Sequence, residues 1–244
     1  MLVLFSDFGP AGPYVGQMKA VLQRLAPAVP VVDLFADAPA RDPRAAAYLL
    51  AAYAAWFPAE SVFLAVVDPG VGGARAALIV EADGRRYVGP DNGLFELVRR
   101  RARTTKVAEI TWRPPALSAS FHGRDLFAPV AGKLARGLTP AQAGLVAAPP
   151  VRRLDWPDDL AAIVYIDRYG NAMTGMRAAS LGPTARLAVG GKSYARARTF
   201  GDAPEGGALW YENANGLAEL AVNRGRADAL PGVAIGAAVA LAGL

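Results

Sequence analysis

"MLVLFSDFGPAGPYVGQMKAVLQRLAP", residues 1–27, decides the architecture. A short apolar run, "LVLF" (2–5), stops at Ser6 and Asp7, and residues 14–25 then carry apolar side chains at helical spacing up to Pro27. A run of this length bounded by turn residues reads as a buried strand, and the 3.6-residue period after it as an amphipathic helix. The pattern then repeats. "PVVDLF" (30–35) is a second strand, and "DPRAAAYLLAAYAAWFP" (42–58) a second helix with Asp42 as N-cap and Pro43 at its first position. "SVFLAVVD" (61–68) is a third strand, and "ALIVEADGRRYVGP" (77–90) a hairpin turning at Asp83-Gly84. "GLFELVRRR" (93–101) and "LFAPVAGKLARG" (126–137) complete the set as helices, the last ending at Gly137. Such alternation predicts an α/β layered domain with a largely parallel sheet over residues 1–150.

The pattern changes at "LVAAPPVRRLDWPDDL" (145–160), rich in proline and charge, and residues 151–160 read as a linker. From 161 to 244 the segments are short: "AAIVYID", "ARLAVGG", "KSYARART", "ALWYE", "LAELAVN". Glycine and asparagine punctuate them, which predicts a small antiparallel β domain, barrel-like in form.

Composition excludes several functions. With no cysteine and one histidine, disulfides, thiolate sites and His-rich zinc or iron sites are ruled out, so no metal is expected. Carboxylate-bound magnesium stays possible, but nothing demands it. The net charge of +5 comes from arginines interspersed with acids. The densest basic run, "VRRRAR" (98–103), reads as a solvated helix end, and no nucleic-acid partner is expected. The longest apolar stretches are shorter than the roughly 20 residues a membrane span needs. The start lacks a basic segment and a cleavage site, so the expectation is a cytoplasmic protein. The five asparagines, Asn92, Asn171, Asn213, Asn215 and Asn223, each lie in a short glycine-containing stretch. Turn formation explains that placement, and so does a ligand site.

The candidate chemistry sits where strands end. Asp7, in "SDFG", follows the first strand at the edge where open α/β sheets bind ligands, and its carboxylate can accept from a ribose diol or cap a turn. "VVDPGVGGAR" (66–75) puts Asp68 at the end of the third strand, then a glycine-rich turn and Arg75. It is neither a phosphate-binding P-loop nor a dinucleotide fingerprint, and no cofactor is implied. An acid and an arginine so placed can form a buried ion pair. His122, in "SASFHGRDLF", opens a helix, a position that favours the neutral imidazole. In the second domain "DRYGNAMT" gathers Asp167, Tyr169 and Asn171, and "NANGLAELAVNRG" adds Asn213, Glu219 and Val222.

Taken in order, "SDFG…YVGQMKAVL", "VVDPGVGGAR", "VGPDNGLF", "SFHGRDLFAPVAGKLARG", "YIDRYGNAMT" and "NANGLAELAVNRG" resemble the S-adenosyl-L-methionine (SAM) hydroxide adenosyltransferases, the SAM hydrolases related to fluorinase and chlorinase. The resemblance covers almost the whole chain. It implies an N-terminal α/β domain with a C-terminal β-barrel, and a homotrimer binding SAM between subunits. It implies hydrolysis of SAM to adenosine and L-methionine without metal or cofactor. It also assigns roles: Asp68, Arg75 and His122 handle the attacking water, Asp7 binds ribose, and Asp167, Tyr169, Asn171, Asn213, Glu219 and the backbone around Val222 bind adenine and methionine. Fluorinase-like enzymes carry tyrosine at the position of Asp68 and lack the histidine, so halogenation is disfavoured. A SAM or adenosine sensor with negligible turnover is the alternative of a different class. One departure is Gly12, where the family often has an acid near the methionine end.

Overall fold

The computed structural model describes residues 1–139, 145–147 and 152–242. The chain divides into two compact units, Met1–Arg153 and Leu154–Leu244. Part of the stretch read as a linker, residues 148–151, lies outside the described residues.

The first unit is built on a seven-stranded sheet. Its strands are β1 (Leu2–Ser6), β2 (Val31–Phe35), β3 (Val62–Val66), β4 (Ala77–Ala82), β5 (Arg85–Pro90), β6 (Thr105–Ile110) and β7 (Leu145–Ala147), in the order β2-β1-β3-β5-β4-β6-β7. The strands β2, β1, β3 and β5 run parallel, while β4, β6 and β7 pair antiparallel. Every residue of β1 and β3 is buried, as a strand covered on both faces requires. Alternate residues face opposite layers. Leu2, Leu4, Val62 and Leu64 pack against Met18 and Leu22 of helix α1 (Pro13–Leu25) and Val130 and Leu134 of α4 (Ala128–Ala135). On the other side Phe5 meets Phe35, which meets Tyr53 of α2 (Pro43–Tyr53), and Phe63 stacks on Tyr87, which touches Phe95 just before α3 (Glu96–Arg101). The predicted cap is present: the Asp42 side chain accepts from the Ala45 N–H at 2.9 Å. The hairpin turns at Asp83 and Gly84, both with positive φ.

Two expectations need correction, and one strand was missed. The helix expected over 93–101 starts only at Glu96. The Asn92 side chain ties the preceding turn down, donating to the Val67 carbonyl at 2.9 Å and accepting from the Leu94 N–H. The run 98–103 is not a fully solvated helix end. Arg99 and Arg100 fold back one turn onto the buried Glu96 carboxylate, which Arg152 also approaches at 3.5 Å. Burial consequently holds the Arg99 guanidinium below its ordinary value, against the pull of Glu96. Strand β6, not foreseen, has a mixed polar pattern because most of its residues are exposed or half-exposed, and it pairs antiparallel with β4.

The second unit consists of β8 (Leu160–Ile166), β9 (Ala172–Arg177), β10 (Arg186–Val189), β11 (Lys192–Ala195), β12 (Ala208–Glu212), β13 (Leu217–Val222) and β14 (Ala240–Ala242). They form two antiparallel sheets, β12-β13-β9-β8 and β11-β10-β14, which an Arg196–Trp210 bridge links. Trp210 fills the core between them with Ile163, Leu187, Val189 and Leu220, and its indole N–H donates to the Ala185 carbonyl at 2.9 Å. Among the described residues no helix is long and apolar enough to cross a membrane.

Candidate active site

Strand register puts the first two candidates side by side. Ser6 of β1 pairs with Val66 of β3, so Asp7 and Asp68 leave the sheet at one carboxyl edge. Both line a cavity of about 280 Å³ with Phe8, Tyr14, Arg41, Phe121 and His122.

Arg75 links the two remaining groups. Its Nε donates to Asp68 Oδ1 at 2.8 Å, its Nη2 donates to Asp68 Oδ2, and Nη2 also lies 3.0 Å from His122 Nδ1. The predicted ion pair is therefore present and largely buried, with side-chain exposures of 11% for Arg75 and 4% for Asp68. The guanidinium also sits over the Phe127 ring, 5.3 Å from its centroid. The glycine-rich turn makes this meeting possible. Gly72 has φ +77, and a Cβ there would come within 2.4 Å of the Ala119 carbonyl oxygen. The glycines serve the approach of one loop to another, the one that carries His122.

The linkage fixes the histidine's proton. A guanidinium has donors only, so Nδ1 must accept and the N–H of the neutral ring is Nε2–H. Burial, and then the charge of Arg75, hold the imidazole below its ordinary value, partly opposed by Asp68. His122 precedes a π-helical turn, Gly123–Phe127, that runs into α4. The neutral form expected from helix position is thus favoured by desolvation and a neighbouring cation.

Asp7 is held by the Arg41 N–H, which donates to Oδ2 at 2.8 Å. Burial pushes its carboxyl above the ordinary value, that hydrogen bond opposes the shift, and the Asp68 charge adds to it. Arg41 itself has φ +59, a strained conformation for a side-chain-bearing residue, where the 36–42 loop turns back to Asp7.

The second-unit candidates fall into two groups. Asp167 accepts from both the backbone and the side-chain amide of Asn171, at 2.9 and 3.1 Å, and Tyr169 stands 76% exposed at the tip of that turn. On the neighbouring strands Glu219 is buried and accepts from Tyr211 Oη at 2.5 Å and Asn213 Nδ2 at 2.7 Å. Burial raises the Glu219 carboxyl above its ordinary value, those two bonds oppose it, and the Asp167 charge adds to the rise. Val222 belongs to the core of the unit. Asn92, Asn171, Asn213 and Asn223 all donate to groups of their own chain.

Phe8, Tyr14 and Phe121 lie inside the quoted motifs but had no role there, and Arg41 lies outside them. The signal for Phe8 and Phe121 was there, since each adjoins an assigned residue, Asp7 or His122. Arg41 carried none, because what brings it to the cavity is a loop conformation. Among the described residues no group of His, Asp and Glu side chains is arranged to hold a metal ion.

Comparison with known proteins agrees with the two-unit division. The family model described as SAM hydroxide adenosyltransferase N-terminal domain matches residues 2–144, and that described as the C-terminal domain matches 161–240. The chain is 43% identical to an (R)-S-adenosyl-L-methionine hydrolase of Thermus thermophilus, over 97% of each chain. It is 38% identical to a protein of the same name from Salinispora arenicola, covering 95% of this chain and 93% of that one. Among solved structures, an uncharacterized conserved protein from Thermotoga maritima superposes with a TM-score of 0.87 at 30% identity, over 98% of both chains. A conserved hypothetical protein from Thermus thermophilus gives 0.76 at 40% identity, also over 98% of both.

Proposed function

The chain belongs to the SAM hydroxide adenosyltransferase family, and on that premise we propose that it hydrolyses SAM to adenosine and L-methionine with Asp68, Arg75 and His122 as the catalytic set. The observation that carries the residue assignment is the Arg75 guanidinium, bonded at once to Asp68 and to His122 Nδ1 beside a cavity that also holds Asp7.

The chemistry asks little of an acid and much of a positioner. A water oxygen attacks the ribose C5′ opposite sulfur, the C5′–O bond forms, and the C5′–S bond breaks with its electron pair going to sulfur. The sulfonium leaves as the neutral thioether of methionine, so no group need protonate it. The water must lose a proton. His122 Nε2–H donates to one lone pair of the water, and Asp68 accepts one of its hydrogens, which leaves the second lone pair aimed at C5′. Each Asp68 oxygen keeps a lone pair beyond those Arg75 uses. An ordinary carboxylate is too weak a base to generate hydroxide beforehand, so proton transfer follows C–O bond formation, when the attacking oxygen has become acidic. Arg75 supplies a fixed positive field beside that oxygen. The proton then passes from Asp68 to solvent. Asp7 accepts from the ribose diol.

We also infer a cytoplasmic homotrimer. In it Asp167, Tyr169, Asn171, Asn213, Glu219 and Val222 of one subunit complete the site of the next. Size supports this, because a cavity of about 280 Å³ falls just below the range of roughly 300–1,000 Å³ for small-molecule sites.

The test is incubation with SAM in ¹⁸O-water, products being resolved by chromatography and mass spectrometry, beside a His122→Ala variant. Adenosine bearing ¹⁸O on C5′, released with methionine and much more slowly by the variant, is the expected result. Binding of SAM with no adenosine above the spontaneous background would overturn the reading and leave a sensor.

A further inference from the structure

Three aromatic rings line the cavity beside the polar set. Phe8, Tyr14 and Phe121 touch one another, with centroids 5.5 Å apart for Phe8–Tyr14, 5.6 Å for Phe8–Phe121 and 5.3 Å for Tyr14–Phe121. Phe121 stands perpendicular to both others, so ring edges and faces are presented in different directions. Phe8 comes from the link between β1 and α1 and Tyr14 from the first turn of α1, whereas Phe121 adjoins His122. Phe121 belongs to the core and Phe8 packs against it, but core packing does not explain Tyr14, which is 48% exposed.

The charged groups at the cavity do not by themselves select a cation. Asp7, Asp68 and Arg41 line the cavity, and Arg75, bonded to the lining residues Asp68 and His122, supplies the second positive charge. A substrate sulfonium entering here gains no net attraction from that balance. Aromatic faces attract cations through the ring quadrupole, and clustered rings form cages for fixed, non-titrating cations. Phe121 already accepts one cation, the Arg124 guanidinium, 5.1 Å from its centroid.

We propose that Phe8, Tyr14 and Phe121 form an aromatic cage that recognises the positive charge of the substrate sulfonium and discriminates it from the neutral thioether. The proposal rests on the hydrolase reading and adds a specificity element to it. The charge disappears as the C5′–S bond breaks, so the cage holds substrate more tightly than product and more tightly than the transition state. It therefore lowers KM, does not raise kcat, and eases the departure of methionine.

The test compares binding of SAM and of S-adenosylhomocysteine, its neutral thioether counterpart, to wild type and to Tyr14→Leu, Tyr14→Phe and Phe8→Leu by calorimetry, together with SAM turnover. Each leucine variant is expected to lose on the order of tenfold in SAM affinity while keeping its affinity for the thioether, with the kinetic loss in KM rather than kcat. Tyr14→Phe, which keeps the ring, is expected to retain the discrimination. Thioether binding also reports that a variant is folded, and should Phe8→Leu not fold, the Tyr14 pair decides. Equal losses for both ligands, or a loss confined to kcat, would overturn the cage. A wild type that makes no adenosine from SAM would instead overturn the hydrolase reading, which separates the two failures.

Discussion

Replacing Arg75 with lysine keeps the charge and removes the geometry. The native guanidinium makes three contacts to the other two members of the set, to Asp68 Oδ1 at 2.8 Å, to Asp68 Oδ2, and to His122 Nδ1 at 3.0 Å. An ammonium on a flexible stem is a point donor and cannot reproduce the planar fork. It can reach Asp68 or His122, so about two charge-assisted bonds are lost, at roughly 1.5–3 kcal/mol each. Because the pair lies beside an open cavity, water replaces part of that, and the expected net loss is about 2–4 kcal/mol. In a unit of this size that corresponds to a melting temperature lower by roughly 5–15 °C. Catalysis should suffer more than charge conservation suggests. With His122 Nδ1 released, the imidazole can turn and present the wrong nitrogen to the water, and a misplaced group costs on the order of 100-fold in turnover. Asp68→Asn, which leaves the guanidinium without its counter-charge, should be worse for stability, at about 3–5 kcal/mol. The assay is the initial rate of adenosine release, paired with thermal unfolding of the same samples. An Arg75→Lys enzyme with turnover within about threefold of wild type and unchanged melting would refute the claim that bridging geometry, rather than positive charge, is what Arg75 contributes.

His122 is held below its ordinary value of 6.5 by burial and by Arg75. Turnover should therefore persist through pH 6.5 and fall only below it. Stability follows the same sign: the unfolded imidazole takes up a proton near 6.5 while the folded one resists, so the contribution is full above that pH and is lost as pH falls through the folded value. A pH–rate profile with its acid limb above 6.5 would contradict this. Asp7→Asn keeps an acceptor for the Arg41 N–H but turns an amide donor toward the ribose; KM for SAM should rise about tenfold, with a smaller effect on kcat, measured by steady-state kinetics. Gly72→Ala forces a Cβ against the Ala119 carbonyl oxygen at φ +77. It should cost at least about 2 kcal/mol of stability and lower turnover, because the Arg75 and His122 loops are pushed apart. Unaltered melting and rate would show that the turn has room to spare.

The strand–helix alternation, the Asp42 cap and the Asp83-Gly84 hairpin were readable because each is local. Periods of 2 and 3.6, caps and turn residues act within a few positions. Strand β6 escaped because its half-exposed sequence carries no clean alternation. Arg99 was misread because a basic run looks solvated unless the acid beneath it is known to be buried, and Glu96 lies one turn away on the inner side. The asparagines showed the converse limit. Their scarcity along the chain did not reveal the backbone and side-chain partners that four of the five hold.

The sequence by itself determined which residues are candidates for the chemistry and where along the chain they stand. Asp7 and Asp68 end strands, Arg75 follows a glycine turn, and His122 is the only imidazole in the chain. Their partnership was decided by tertiary structure. Parallel register of β1 with β3 sets Asp7 beside Asp68, and the close approach permitted by Gly72 brings Arg75 to a histidine 47 residues away. Which imidazole nitrogen bears the proton follows from that contact, since a donor-only guanidinium leaves Nδ1 no other role. The aromatic wall was likewise decided by folding, because Phe8 of the β1–α1 link and Tyr14 of α1 meet Phe121 only when that segment packs on the loop that carries His122. Spacing along a chain encodes local periodicity, whereas hydrogen-bond direction and ring packing depend on positions that only the assembled core fixes.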